Sequence, residues 1–109
     1  MLYVAYNPHI TEISISKVII LWASLKPLSG ETQRVAVARA IAHNPKMLLA
    51  DEPTANLDTA TGQQIVQLMR DLGRTHGCTI IMATHDMEIA ETADLVTCLK
   101  DGRILEVKQ

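Results

Sequence analysis

Phenylalanine is absent, and the only other aromatic residues, Tyr3, Tyr6 and Trp22, all fall within the first 22 of 109 positions. The chain therefore changes composition after Trp22. Cysteine is almost as scarce: Cys78 and Cys98 lie in separate apolar runs, without C-x-x-C spacing and without a histidine cluster nearby. That argues against a metal centre and reads as two buried small hydrophobes in a reducing, cytosolic setting. No long apolar run occurs either. The longest, Val18 to Ala23, is far below the ~20 residues needed to cross a bilayer, so direct membrane insertion is not expected. The first residues lack a basic start and a small-residue cleavage site, which speaks against a secretory signal. Charge of neither sign gathers into a block: ten Lys and Arg stand against twelve Asp and Glu, for a formal charge of −2. A nucleic-acid partner, which needs clustered cations, is not expected. The length suits one small domain with a modest core.

What is present is a regular alternation of helix and strand signals after Pro27, a residue that disfavours a helix through Lys26. Residues 32–43 read as a helix with two apolar rows, Val35, Ala38, Ala42 and Val37, Ile41, stopped by Asn44-Pro45. Residues 47–50 read as a strand. Asp58 or Thr59 is placed to cap the next helix, whose Ile65, Leu68, Met69 and Leu72 keep helical spacing, and Gly73 or Gly77 can end it. Residues 78–83 read as a second strand, apolar on both faces as in a parallel sheet covered by helices. A short helix over 86–93 follows, and then a hairpin, 95–99 and 104–107, around Asp101-Gly102. The class is α/β, with parallel strands, a crossover helix and a C-terminal hairpin. Before Pro27, Ile13 to Ser16 alternate like a strand and residues 18–23 form a short strand or helix candidate. The division is 1–27, an atypical segment of unknown role, and 28–109.

Three places carry candidate chemistry. The apolar run Met47 to Ala50 ends in Asp51 and Glu52, and the carboxyl ends of parallel strands are where α/β folds collect ligands. Asp51 suits a Mg²⁺ held through water, and Glu52 suits orienting and polarising an attacking water. His85 follows the second strand and should emerge at the same rim, donating a hydrogen bond to a terminal phosphate or to that water. Leu28-Ser29-Gly30 before a helix offers a hydroxyl, close backbone approach and free N–H groups, the elements of an anion site; an ordinary Ser cap reads equally well.

Together, in this order, these elements resemble the second half of an ATP-binding cassette (ABC) ATPase. Leu28-Ser29-Gly30 with Gln33 to Ala40 is similar to the signature motif, residues 47–52 to Walker B with its glutamate, Ala55 to Asp58 to the D-loop, and His85 to the switch histidine. The wording around Asp51 looks most like lipoprotein-releasing, macrolide and glycolipid exporters. The resemblance implies a P-loop nucleoside triphosphate hydrolase fold, ATP and Mg²⁺ as cofactors, Glu52 and His85 as catalytic groups, and Asp51 at the metal. It implies that Ser29, Gly30 and Gln33 contact nucleotide held by a second, head-to-tail cassette and that Asp58 bridges the interface. Membrane-spanning permease subunits would be the driven partners, with the chain at the inner face of the cell membrane.

The resemblance is incomplete. No G-x-x-x-x-G-K-[ST] occurs, so the loop that cradles the β- and γ-phosphates is missing and independent catalysis is not expected. The signature is one residue short between Leu28-Ser29-Gly30 and Arg34, and no glutamine loop or helical subdomain is found in residues 1–27. The expectation is a fragment of the ATP-hydrolysing subunit of an exporter; the alternative is a non-enzymatic interaction module or an inert remnant. The family's sheet also has a strand between those matching residues 78–83 and 95–99. Residues 10–16 or 18–23 are the candidates to fill that gap.

Overall fold

The computed structural model describes residues 2–6, the backbone of residues 18–22, and residues 30–109. Six strands form one sheet: β1 (Leu2–Tyr6), β2 (Val18–Trp22), β3 (Met47–Asp51), β4 (Thr79–Thr84), β5 (Leu95–Lys100) and β6 (Arg103–Lys108). Their order is β2-β3-β4-β1-β5-β6. Three helices join them: α1 (Gly30–Ala42), α2 (Thr59–His76) and α3 (Met87–Glu91).

The unit that matters for function is β3-α2-β4. Both strands are apolar and pair in parallel, with Leu48 opposite Ile80, Ala50 opposite Met82 and Asp51 opposite Ala83. Asp58 caps α2, its carboxylate accepting from the Thr61 N–H at 3.1 Å, and Gly77 closes the helix in a left-handed conformation that glycine adopts without penalty. Asn44, also left-handed, ends α1 ahead of Pro45.

Inside, Leu48, Ile65, Met69, Ile80 and Met82 are fully buried, each contributing roughly 1.5–3 kcal/mol by leaving water. The two faces of β4 are not equivalent: Ile80 and Met82 are sealed, whereas Ile81 and Ala83 are only partly covered. α2 makes the difference, approaching so closely that a Cβ on Gly73 would lie 2.8 Å from Ile80. α1 also buries one row where two were expected. Val37 and Ile41 are inside, while Val35 is 59% exposed and Ala38 and Ala42 face solvent.

The gap is filled by a segment the sequence reading passed over. Residues 18–22 do form a strand, but β2 pairs in parallel with β3 at the outer edge, Val18 opposite Met47 through Trp22 opposite Asp51. Residues 10–16 lie outside the described residues. β1 takes the place between β4 and β5, antiparallel to both: Leu2 opposes Thr84 and Cys98, and Val4 opposes Met82 and Val96. Its alternation explains why. Leu2, Val4 and Tyr6 point inward and are buried, while Tyr3 is exposed. Tyr6 is 3% exposed, its hydroxyl 3.1 Å from Thr92 Oγ1 and its ring 5.2 Å beneath the Arg70 guanidinium.

Candidate active site at the carboxyl rim of β3 and β4

β3 ends at Asp51 and β4 at Thr84, so the parallel register brings the next residues of both strands to one rim. The Glu52 N–H donates to Ala83 O at 2.9 Å, continuing the ladder for one more residue. The backbone then turns sharply: Glu52 has φ 46°. A left-handed conformation costs a non-glycine residue about 1–2 kcal/mol and persists only where neighbours hold it. Three contacts do so here: the bond to Ala83, the Ala55 N–H on Glu52 O at 3.2 Å, and the Gln33 amide on Pro53 O at 2.6 Å.

The turn aims the Glu52 carboxylate at His85, whose Nδ1 lies 2.5 Å from Glu52 Oε1. A carboxylate only accepts, so the imidazole donates, and in a neutral ring Nε2 is left as an acceptor. Glu52 is largely shielded, with its side chain 22% exposed, against 69% for His85. A pair this open adds at most about 1 kcal/mol of stability; its significance is positional. In the structure His85 donates to Glu52 through Nδ1. Its own place is set by the turn into α3, where Asp86 N–H donates to Thr84 Oγ1 and the Asp86 carboxylate caps the Glu88 and Ile89 N–H groups. Asp51, half-buried, closes β3 beside this pair.

The signature-like residues lie elsewhere. Ser29 is outside the described residues. Gly30 opens α1, where a Cβ would fall 2.5 Å from Thr61 Cγ2, so the first turns of α1 and α2 meet there. Arg34 donates to Gln64 Oε1 at 2.8 Å along the same seam. Gln33, expected to contact nucleotide, has its side chain fully enclosed, with Nε2 donating to Pro53 O. Its Oε1 has no partner among the described residues, an arrangement costing about 1–3 kcal/mol. The signal was in the spacing. Gln33, Val37, Ala40 and Ile41 are the buried residues of α1 and fall on one helical stripe. Asp58 is exposed, and its pKa is lowered chiefly by the side-chain hydrogen bond to Thr61. Among the described residues no group of three or more His, Cys, Asp or Glu could hold a metal ion. The thiols also differ: Cys78 is buried and its pKa raised by desolvation, whereas Cys98 is only half-buried.

The parallel β-α-β unit carries two carboxylates and a histidine to its carboxyl rim, where α/β folds collect ligands. Comparison with known proteins defines it further. Residues 21–55 match the ABC transporter family model. A lipoprotein-releasing system ATP-binding protein (LolD 2) of Rhodopirellula baltica is 59% identical over 73 residues, 67% of this chain and 29% of that protein. A macrolide export ATP-binding/permease protein (MacB) of the same organism is 54% identical over 77 residues, 71% of this chain and 11% of that protein. The dimeric structure of the bacterial ABC transporter cassette MJ0796 superposes with a TM-score of 0.65 at 44% identity, covering 77% of this chain and 38% of that one. A post-hydrolysis dimer of MJ0796 bound to ADP and Pi gives 0.64 at 43% identity, covering 75% and 36%. Over about two thirds of its length the chain is similar to ABC transporter ATP-binding proteins, and it shares part of the P-loop NTPase fold of their cassettes. It spans less than a third of the length of these two curated relatives. Among the described residues no helix is long and apolar enough to cross a membrane.

Proposed function

We propose that this chain supplies the hydrolytic side of an ATP-binding cassette that powers export. The observation that carries the reading is the Glu52–His85 contact at the common rim of β3 and β4. Bound ATP would supply the phosphoanhydride bond. Glu52 would orient and polarise the attacking water, His85 would hold the Glu52 carboxylate in place, and Asp51 would be the residue to hold Mg²⁺, which would neutralise phosphate charge. The residues fit this end of a nucleotide and not its phosphate cradle. No G-x-x-x-x-G-K-[ST] occurs in the sequence. β1, in the gap where that loop's strand was expected, runs from Thr84 towards Ile80, away from the rim that holds Glu52. On this reading the cradle would be supplied by residues other than these 109, and these residues by themselves would not be catalytic.

A second, head-to-tail cassette is the partner this reading requires, with Ser29 and Gly30 reaching its nucleotide and Asp58 at the interface. Permease subunits would place the assembly at the inner face of the cell membrane. Lipoprotein and macrolide export, named for the relatives, are the candidate transport reactions. A non-enzymatic interaction module is the second reading, favoured by β1 filling the sheet with no phosphate loop attached. Calorimetric titration of the chain with Mg-ATP tests the assignment. Affinity weaker than millimolar is expected; submillimolar affinity, with hydrolysis that Glu52→Gln abolishes, would overturn the view that the cradle lies elsewhere.

A further inference from the structure

We infer that Gln33 is a positioning residue that sets the Glu52 carboxylate from the neighbouring helix. Gln33 stands in the first turns of α1, wholly buried, and its Nε2 donates at 2.6 Å to the carbonyl of Pro53, the residue that follows Glu52. Glu52 has φ 46° and precedes a proline, a combination that disfavours ordinary helical relaxation and needs restraint on both sides. Ala83 O restrains its N–H. On the far side the Ala55 N–H holds Glu52 O at 3.2 Å, and Gln33 holds the next peptide through Pro53 O. Without the Gln33 donor the Pro53–Thr54 peptide is free to rotate, the turn beyond Glu52 loosens, and the carboxylate swings off His85.

The bond to Pro53 O is buried, and Oε1 has no partner among the described residues. Gln33→Met would remove Nε2 and leave Pro53 O without this donor. Gln33 also ties α1, whose first residue packs on Thr61 of α2, to the turn that holds Glu52. Movement of α1 is thereby transmitted to the carboxylate through one hydrogen bond.

The functional meaning of this rests on Glu52 acting on water, but the test does not. Proton NMR on the whole chain is expected to show slowly exchanging Gln33 side-chain amide protons and a cross-peak between the Glu52 side chain and the His85 ring. Gln33→Met is expected to lower the Tm modestly, through the loss of one buried hydrogen bond, and to retain the β3–β4 cross-strand peaks, while the Glu52–His85 cross-peak loses most of its intensity. A Glu52–His85 peak unchanged in Gln33→Met, or fast-exchanging Gln33 amide protons in the wild type, overturns the inference. Should Gln33→Met fail to fold, the wild-type amide exchange decides alone. If the cross-peak is lost in Gln33→Met, yet Glu52→Gln leaves hydrolysis by the assembled cassette intact, the coupling stands and the role of Glu52 falls.

Discussion

Glu52 shows how one residue can be at odds with its backbone and still be held. Its left-handed φ predicts a divergence between two substitutions: Glu52→Gly leaves unfolding free energy within about 1 kcal/mol of wild type, because relief of the conformation offsets the added chain entropy, while β-branched Glu52→Val loses more than about 1 kcal/mol. Urea denaturation of the two variants checks this. Asp58 gives a pH prediction. Its folded pKa lies below the ordinary 3.8, so its stabilising effect is complete above that value and is lost as pH falls through the lowered one. Asp58→Asn, which keeps the cap but not the charge, should flatten the stability profile below about pH 4. The pairing of strand-end carboxylates with a later histidine was readable from the sequence because parallel strands deliver their ends to one rim. The partner of His85 was not, because it depends on the φ of Glu52, which composition does not reveal. The burial of Gln33 was legible only in its stripe with Val37, Ala40 and Ile41, because a polar residue in a motif draws attention to ligands.

β1 is held by Tyr6 more than by its length. Tyr6→Ala is expected to cost about 3 kcal/mol or more, given the buried ring it removes, and to speed hydrogen exchange along the β4 and β5 edges. Tyr6→Phe should cost only about 1 kcal/mol, because Thr92 Oγ1 retains its own bond to Ile89 O at 2.7 Å. Burial raises the Tyr6 pKa, outweighing the Thr92 hydrogen bond that lowers it. The ionised form is therefore disfavoured in the fold, and the Tyr6 contribution is lost as pH rises above 10. The helices and the hairpin were evident in the sequence, since caps, glycines and Asp101-Gly102 are local signals; both turn residues adopt positive φ, as a two-residue hairpin demands. β1 was overlooked because five alternating residues carry little signal, and because the expectation of a parallel strand hid the antiparallel one. Residues 18–23 were readable as a short strand or helix candidate but not as an edge strand, since pairing is a property of the partner strands.

For the molecule as a whole, the sheet arranges reactivity as well as stability. Cys78, sealed with its thiol pKa pushed up, should resist a maleimide in the native state, whereas Cys98 should label first; equal rates would contradict the burial around β4. The α/β class followed from periodicity and turn chemistry, and the motifs from the family resemblance, while the sealing of one sheet face more than the other did not, because Ile80 and Ile81 are alike in sequence and differ only in what α2 covers. Every functional statement depends on β3 and β4 presenting Glu52 and His85 together, with β1 reversed beside them. Nuclear Overhauser spectroscopy of the intact chain tests this most directly. The structure predicts a Glu52–His85 side-chain contact together with antiparallel peaks that place Val4 between Met82 and Val96; peaks that place β1 parallel to β4, or His85 remote from Glu52, would contradict it.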